Sequence, residues 1–230
     1  MATVTASKYG TISKQGSSSW SATRTGTGSS ATNQPTGSNI QVVKLGYETS
    51  KGEEWDIKRL YLAFDVSSYA SGYTITDLKL YYKPTTSATG TLKIAIIKST
   101  AQGDADADLA TSDYYTPLDY SVDYADNDGT DIWADSTTLS YFDLNSTAIS
   151  AFTNSYLKLA VIEYVHDYNN TAPTLTTNWQ GYNNFSTTVP YLSFTATATG
   201  YTNDIIGVSS ANIDSVEGVA TANISQIIGV

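Results

Sequence analysis

The middle of the chain alternates apolar and polar residues with a period of two, and no stretch of ten or more residues sustains a helical period. That feature confines the chain to an all-β fold. In IKRLYLAFDV, Leu60, Leu62, Phe64 and Val66 share one side while Arg59, Tyr61, Ala63 and Asp65 share the other, the pattern of a strand with one buried face. TLKIAIIK repeats it with Leu92, Ile94 and Ile96, and YLKLAVIEYV with Leu157, Leu159 and Val161. NIQVVKLGY, YTITDLKLYYK and VPYLSFTATA bring the expected strands to at least six. Such strands, joined by Gly, Ser, Asn and Asp turns, predict two packed antiparallel sheets, a jelly roll or β-sandwich. One helical turn is expected in the body, at STAISAF, with Ser146 as its cap.

Length and charge narrow the function classes. The 230 residues suit one all-β domain with an appendage. Hydrophobic residues at 40% and charged residues at 15% fit a globular chain, not a disordered one. Twelve basic against 22 acidic residues give a net charge of −10, which repels a phosphate backbone, so no nucleic-acid partner is expected. The absence of cysteine excludes disulfides, thiolate metal sites and thiol catalysis. No run approaches the roughly 18 apolar residues of a membrane span. The opening MATVTASKYGTISK has neither the basic start nor the apolar core of a secretory signal, which suggests use without Sec export or a mature form with an added Met.

The acid is concentrated. From Ser99 to Leu157 there is no Lys or Arg, yet eleven aspartates lie there, half of all the acidic residues. Long loops and short strands at one end of the sandwich are expected to carry them. Alternating oxygen ligands suit calcium, and two segments offer them: Asp104, Asp106 and Asp108 in GDADADL, and Asp123, Asp126, Asp128 and Asp131 in DYADNDGTD. Neither is an EF-hand, because Leu109 replaces the sixth-position glycine in the first and neither supplies the twelfth-position Glu. The second set is the stronger candidate for a structural calcium; the other reading is a pair of solvated acidic loops.

Catalytic signatures are weak. His166, the single histidine, lies beside Glu163 and Asp167 but has no GxSxG nucleophile elbow and no second histidine. RTGTGSSATNQPTG carries a GxG at Gly26 and Gly28, but Ala31 stands where GxGxxG needs its third glycine, so a Ser/Thr-rich surface loop is expected. Trp20, Trp55, Trp133 and Trp179, with eighteen tyrosines, offer flat rings for sugar contact, although most should serve the core. We therefore expect no enzymatic activity, with a polysaccharide-degrading enzyme as the third-ranked class.

From about residue 201 the texture changes to a repeat of eleven residues: IGVSSANIDSV, EGVATANISQI, then IGV. Gly207, Gly218 and Gly229 recur in step. A glycine per repeat disfavours a continuous helix, so the expectation is single turns such as IDSV and ISQI, capped by Asn212 and Asn223, with Val-Ala-Thr extended between them. The apolar positions Ile206, Val208, Ile213, Val216, Val219, Ile224, Ile227 and Val230 form a stripe that two or three repeats cannot bury alone, which predicts an assembly surface. The expected division is a sandwich over residues 1–200, with an N-terminal arm, and an assembly tail over 201–230.

RLYLAFDVSSYASGYTITDLKLYYK resembles a known pattern: an Arg, an alternating strand ending in F-D-x-S-S, a Gly-containing turn, then I-T-x-A/L-x-L-x-L-Y. The pattern marks carbohydrate-binding-module-like jelly rolls of the DNRLRE type, found in bacterial surface proteins and phage structural proteins. YFDLNSTAISAF, SYLKLAVIEYVHDYNNTAP with Asp167 in its loop, and VPYLSFTAT are similar to later pieces of the same pattern, in order, over roughly Thr3 to Thr199. The acidic middle departs from it. The C-terminal G-V-A-x-A-N-I unit is similar to tails of phage structural proteins. The resemblance implies a non-enzymatic component of a virion surface, such as capsid decoration, collar, tail or fibre. Its partners would be other copies of itself, other virion proteins and surface glycans. The alternative is a secreted carbohydrate-binding module or a cell-surface filament subunit.

Overall fold

A computed structural model describes residues 1–17, 19–35, 40–48, 54–84, 92–103, 107–134, 137–174, 179–185, 188–199, 215–216 and 219–220. The body is an all-β sandwich of two antiparallel sheets. The smaller sheet runs in the order β1 (Ala2–Thr5), β12 (Tyr191–Ala198), β6 (Tyr73–Tyr82) and β9 (Ser140–Asp143). The larger is organised about β5 (Glu54–Asp65). One side of β5 pairs with β2 (Lys8–Ser17) along nearly its whole length, and β3 (Ser30–Asn33) borders β2. Its other side is shared: β4 (Ile40–Glu48) takes the first half and β10 (Tyr156–Glu163) the second. β7 (Ile94–Ser99) and β8 (Leu118–Asp123) continue from β10, and β11 (Trp179–Phe185) borders β4.

The alternation read from the sequence sets the main core. Leu60, Leu62 and Phe64 of β5, Leu157, Leu159 and Val161 of β10, and Ile94 and Ile96 of β7 face Leu78, Leu80, Tyr82, Phe142, Leu192 and Phe194 of the smaller sheet. The expectation that β5 buries only one face is corrected. Arg59, Tyr61 and Ala63 are all fully buried, and only Asp65 is exposed. A second apolar cluster explains it: Ile12, Leu45, Ile57, Tyr61, Ile97, Ala160 and Ile162 lie under short elements that roof the outer face of the sheet. These are α1 (Trp20–Arg24), a 310 turn at Thr111–Tyr114 and a π-type turn at Tyr164–Tyr168.

Four further expectations change. The SATN part of the expected surface loop is strand, pairing with Gly10–Ser13, and Gly28 is there for space, since a Cβ on it would lie 2.5 Å from Ile12 Cγ2. The helical turn α2 (Ser146–Ser150) is capped by Asn145, not Ser146; the Asn145 side chain accepts from the amides of Thr147 and Ala148. The segment read as an N-terminal arm contains an edge strand, Ala2 opposite Phe194 and Thr5 opposite Tyr191. In the tail, β13 (Ser215–Val216) pairs antiparallel with β14 (Val219–Ala220). The end of IDSV is therefore strand, not helical turn, while Val219–Ala220 is extended as expected. Ile206, Val208, Ile213, Ile224, Ile227 and Val230 lie outside the described residues, as do Asp104, Asp106 and Asp135. Among the described residues no helix is long and apolar enough to cross a membrane.

Candidate functional site

A bulge in β6 decides what the smaller sheet shows to solvent. Asp77 adopts φ +54, and the pairing with β12 slips between Ser193 and Thr195. Strict alternation from the buried Ile75 would send Lys79 and Tyr81 into the core. The extra residue reverses the phase, so Leu78, Leu80 and Tyr82 point inward and Lys79 and Tyr81 outward.

Register then lines up tyrosines. Tyr191 of β12 pairs with Tyr81 of β6, which pairs with Tyr141 of β9. The rings of Tyr191 and Tyr81 stack with centroids 5.0 Å apart and planes 3° from parallel. Tyr81 and Tyr141 are 5.3 Å apart and tilted by 42°. Tyr141, on the edge strand, is 48% exposed, and the Lys79 ammonium lies 4.0 Å from its ring centroid while pairing with Asp143. The next row across the sheet is Thr3, Ser193, Lys79 and Asp143. The outer face thus carries a ridge of phenols beside the exposed Thr3 hydroxyl and one neutralised ion pair, with Ser193 buried between them. Behind it the inner face is packed with rings: Tyr82 stacks on Phe142 with centroids 4.7 Å apart and lies tilted against Trp133 at 4.2 Å, and the Tyr82 hydroxyl accepts from the Ala134 amide.

The ridge ends at an acidic cavity of about 370 Å³ lined by Tyr141, Asp143, Asp126, Asp131, Thr130 and Asn145, among others. The four candidate calcium ligands divide here. Asp123 is engaged, accepting the Tyr168 hydroxyl on both oxygens and the Asn127 side-chain amide on one. Asp128 accepts the Thr130 amide and hydroxyl. Asp126 and Asp131 face the cavity with Asp143. Among the described residues no three acidic or imidazole side chains form a group that could hold a metal. Burial, then the charges of Asp128, Asp126 and Asp143, raise the Asp131 carboxyl above the usual range. A carboxyl raised in the fold contributes stability at low pH that is lost as pH rises through its folded pKa. Asp131→Asn is therefore expected to raise the melting temperature at pH 7 in chelator, with the gain fading below about pH 4. A calcium ion bound at the cavity would reverse the sign in calcium buffer, making the variant the less stable protein.

Two separated pieces of the sequence pattern meet on the other side of the molecule. Glu163, at the end of β10, is buried and accepts the amides of Val165, His166 and Asp167, which winds the turn at 164–168. The turn delivers Asp167 to Arg59. The guanidinium donates from Nε to Asp167 Oδ2 and from Nη2 to Oδ1, both at 2.7 Å, and also donates to the carbonyls of Tyr114 and Arg24. Arg24 Nε donates to the Asp167 carbonyl at 2.7 Å and lies 3.6 Å from its Oδ1. Tyr120 donates to Oδ1, Tyr61 to the Tyr114 carbonyl and Tyr114 to the Thr23 carbonyl. Burial opposes the Arg59 charge, yet Asp167 and the hydrogen bonds hold its pKa well above the usual value. Burial also pushes the phenols of Tyr61, Tyr114 and Tyr120 up, which keeps them as donors. The arrangement clamps three roofing turns to β5.

His166 sits on this turn with Nδ1 2.9 Å from the Thr171 carbonyl oxygen. Both acids beside it are engaged elsewhere, Glu163 by backbone amides and Asp167 by Arg59. The tryptophans read as sugar platforms serve packing: Trp133 and Trp55 are buried, and Trp20 packs edge-on against Trp55 and His166. The side chain of Trp179 is outside the description. The tyrosine ridge was missed, although its signal is present: KLYYK, SYFDL and PYLSF each place a Tyr at an outward step of an alternating strand. No known protein family and no curated protein matches the chain.

Proposed function

We propose that the chain is a non-enzymatic surface-display protein, a virion structural component in the first instance, whose sandwich adheres to surface glycans and whose C-terminal repeat joins it to an assembly. The observation that carries the adhesive half is the ridge of Tyr191, Tyr81 and Tyr141, stacked across three strands on the outer face of a sheet. Phenols combine apolar area with a hydrogen-bonding tip at low entropic cost, because stacked rings have little rotamer freedom left to lose. The neighbouring Thr3, Lys79 and Asp143 supply donors and acceptors suited to sugar hydroxyls. A neutral glycan fits this face best, since the ion pair is internally balanced and the adjoining cavity is acidic.

The assembly half rests on the eleven-residue repeat and on the strand pairing at Ser215–Val216 and Val219–Ala220. Light scattering on the full chain should show self-association that is lost when the chain is cut after residue 200. A monomer in both forms would remove the assembly role. The secreted-module alternative uses the same ridge without the tail. A glycan array probed with the full chain tests both, and silence across neutral glycans removes the adhesive role.

A further inference from the structure

The clamp on β5 holds two guanidinium groups and one carboxylate. Arg59 and Arg24 share Asp167. Arg59 uses Nε, Nη1 and Nη2 on Asp167 and on the carbonyls of Tyr114 and Arg24. The Asp167 oxygens take those bonds and the Tyr120 hydroxyl, which leaves Arg24 with Oδ1 only at 3.6 Å. The neighbouring acids are engaged elsewhere: Glu163 accepts three backbone amides, Asp113 accepts the Ala110 amide and Asp56 pairs with Lys44. One guanidinium therefore has no carboxylate of its own in contact, in a chain whose net charge is −10.

Arg24 is also held in place. It ends α1, its side chain is only 7% exposed, and its Nε donates to the Asp167 carbonyl at 2.7 Å. The guanidinium carbon lies 4.4 Å from the Tyr120 ring centroid and 5.8 Å from that of Tyr115. Those two half-buried rings are 5.8 Å apart and tilted by 38°. The Arg24 Nη1 and Nη2 groups donate to none of the described residues. Among those residues the buried side-chain nitrogens without a partner belong to Trp20 and Gln102, so the Nη edge of Arg24 reaches solvent. The Tyr115 hydroxyl, too, donates to none of the described residues. The result is a fixed guanidinium with an open outer edge, set against two phenol rings. A guanidinium edge matches a planar oxyanion through two parallel N–H bonds, and fixing it in advance removes the ordering cost that a free surface arginine would bear on binding.

We propose that Arg24 anchors a site, on the outer face of the larger sheet, for a carboxylate carried on a ring: the carboxylate forks onto Nη1 and Nη2, and its ring lies against Tyr115 and Tyr120. Sugar acids and aromatic acids share this chemistry. One open fork takes one carboxylate, and the net charge of −10 repels a polyanion at long range. The site is independent of the tyrosine ridge, which belongs to the other sheet.

The test is an NMR titration of the full chain with sodium acetate, glucuronate and benzoate, read at the Arg24 side-chain Nε–H and at the amides of Thr25, Tyr115 and Tyr120. Saturable shifts are expected with glucuronate or benzoate, and the tighter of the two assigns the carrier as a sugar acid or an aromatic acid. Acetate, which offers a fork and no ring, should bind about tenfold more weakly. Arg24→Lys keeps the charge and loses the fork, and should weaken the better probe about tenfold. Tyr115→Leu leaves the Arg24 contacts with Asp167 in place and should bring the better probe down to the affinity of acetate. Amide patterns away from the site verify the fold of each variant, and Tyr115→Leu decides if Arg24→Lys does not fold. No saturable shift at Arg24 with glucuronate or benzoate overturns the proposal. So does binding that is indifferent to both variants, or acetate binding as tight as that of the ring acids.

Discussion

Asp167→Asn is expected to cost about 3–5 kcal/mol, the range for breaking a buried ion pair from one side. The reasoning is local. Asp167 is fully buried and faces two guanidinium groups, Arg59 in a two-bond fork and Arg24 at 3.6 Å. An amide in its place leaves both cations in a dry interior and turns an NH2 group towards one of them. The loss is a large share of the roughly 5–15 kcal/mol that holds a domain of this kind. Arg59→Met should cost a similar amount, because the buried Asp167 loses its charge partner and the carbonyls of Tyr114 and Arg24 each lose a donor. Combining Arg59→Met with Asp167→Leu should cost less than the sum of Arg59→Met and Asp167→Leu made singly, since the desolvation of both charges disappears with them. Urea midpoints of the four proteins check it. Full additivity would show that the two residues are not a unit.

The second large effect is on the main core. Phe194 is fully buried on β12, edge-on to Tyr69 at 4.9 Å and to Phe152 at 5.0 Å. Those two rings come from the turns that close the sandwich at Ser67–Tyr69 and Ala151–Thr153. Phe194→Ala removes the side chain that joins them and leaves a cavity that the two remaining rings cannot collapse to fill. A cost of about 3–5 kcal/mol is expected for such a truncation, with the lost edge-to-face pairs contributing about 0.5–1.5 kcal/mol each. Denaturant melting reads the loss directly; a change below about 1 kcal/mol would mean that the turns do not depend on this ring.

Much of the fold was legible because alternation maps directly onto sheet faces. The six strands expected from NIQVVKLGY through VPYLSFTATA all form. β2 and β3 were not legible, since KYGTISKQGS and SATN carry few apolar residues; β2 buries little beyond Tyr9, Thr11 and Ile12 and takes its place by pairing with β5, and β3 takes its place by pairing with β2. The second buried face of β5 was hidden for a related reason: an Arg on the outer phase of a strand reads as solvent-facing until its partner is known. Asp167 stands 108 residues away, and no local pattern predicts that a Glu-capped turn will carry it there. The tyrosine ridge depends on the β6 bulge at Asp77, which reverses the phase in mid-strand. Each Tyr was visible as an outward residue, but their alignment is a matter of register between strands. The acidic stretch was legible as composition only. Its strands β8 and β9 join different sheets, and in and after β8 Asp123 and Asp128 are tied up by neighbours, whereas Asp126 and Asp131 line one cavity with Asp143.

The adhesive function rests on the ridge, and one comparison tests it most directly: neutral-glycan binding by the full chain against Tyr81→Ala. Tyr81 is the middle rung, partly exposed, and its removal leaves the inner face of β6 untouched. The account predicts saturable binding by the parent protein, weakened at least about tenfold by the variant, as for loss of an aromatic hot spot worth about 2 kcal/mol, with the variant still cooperatively folded at the assay temperature. Binding that survives Tyr81→Ala undiminished would contradict it.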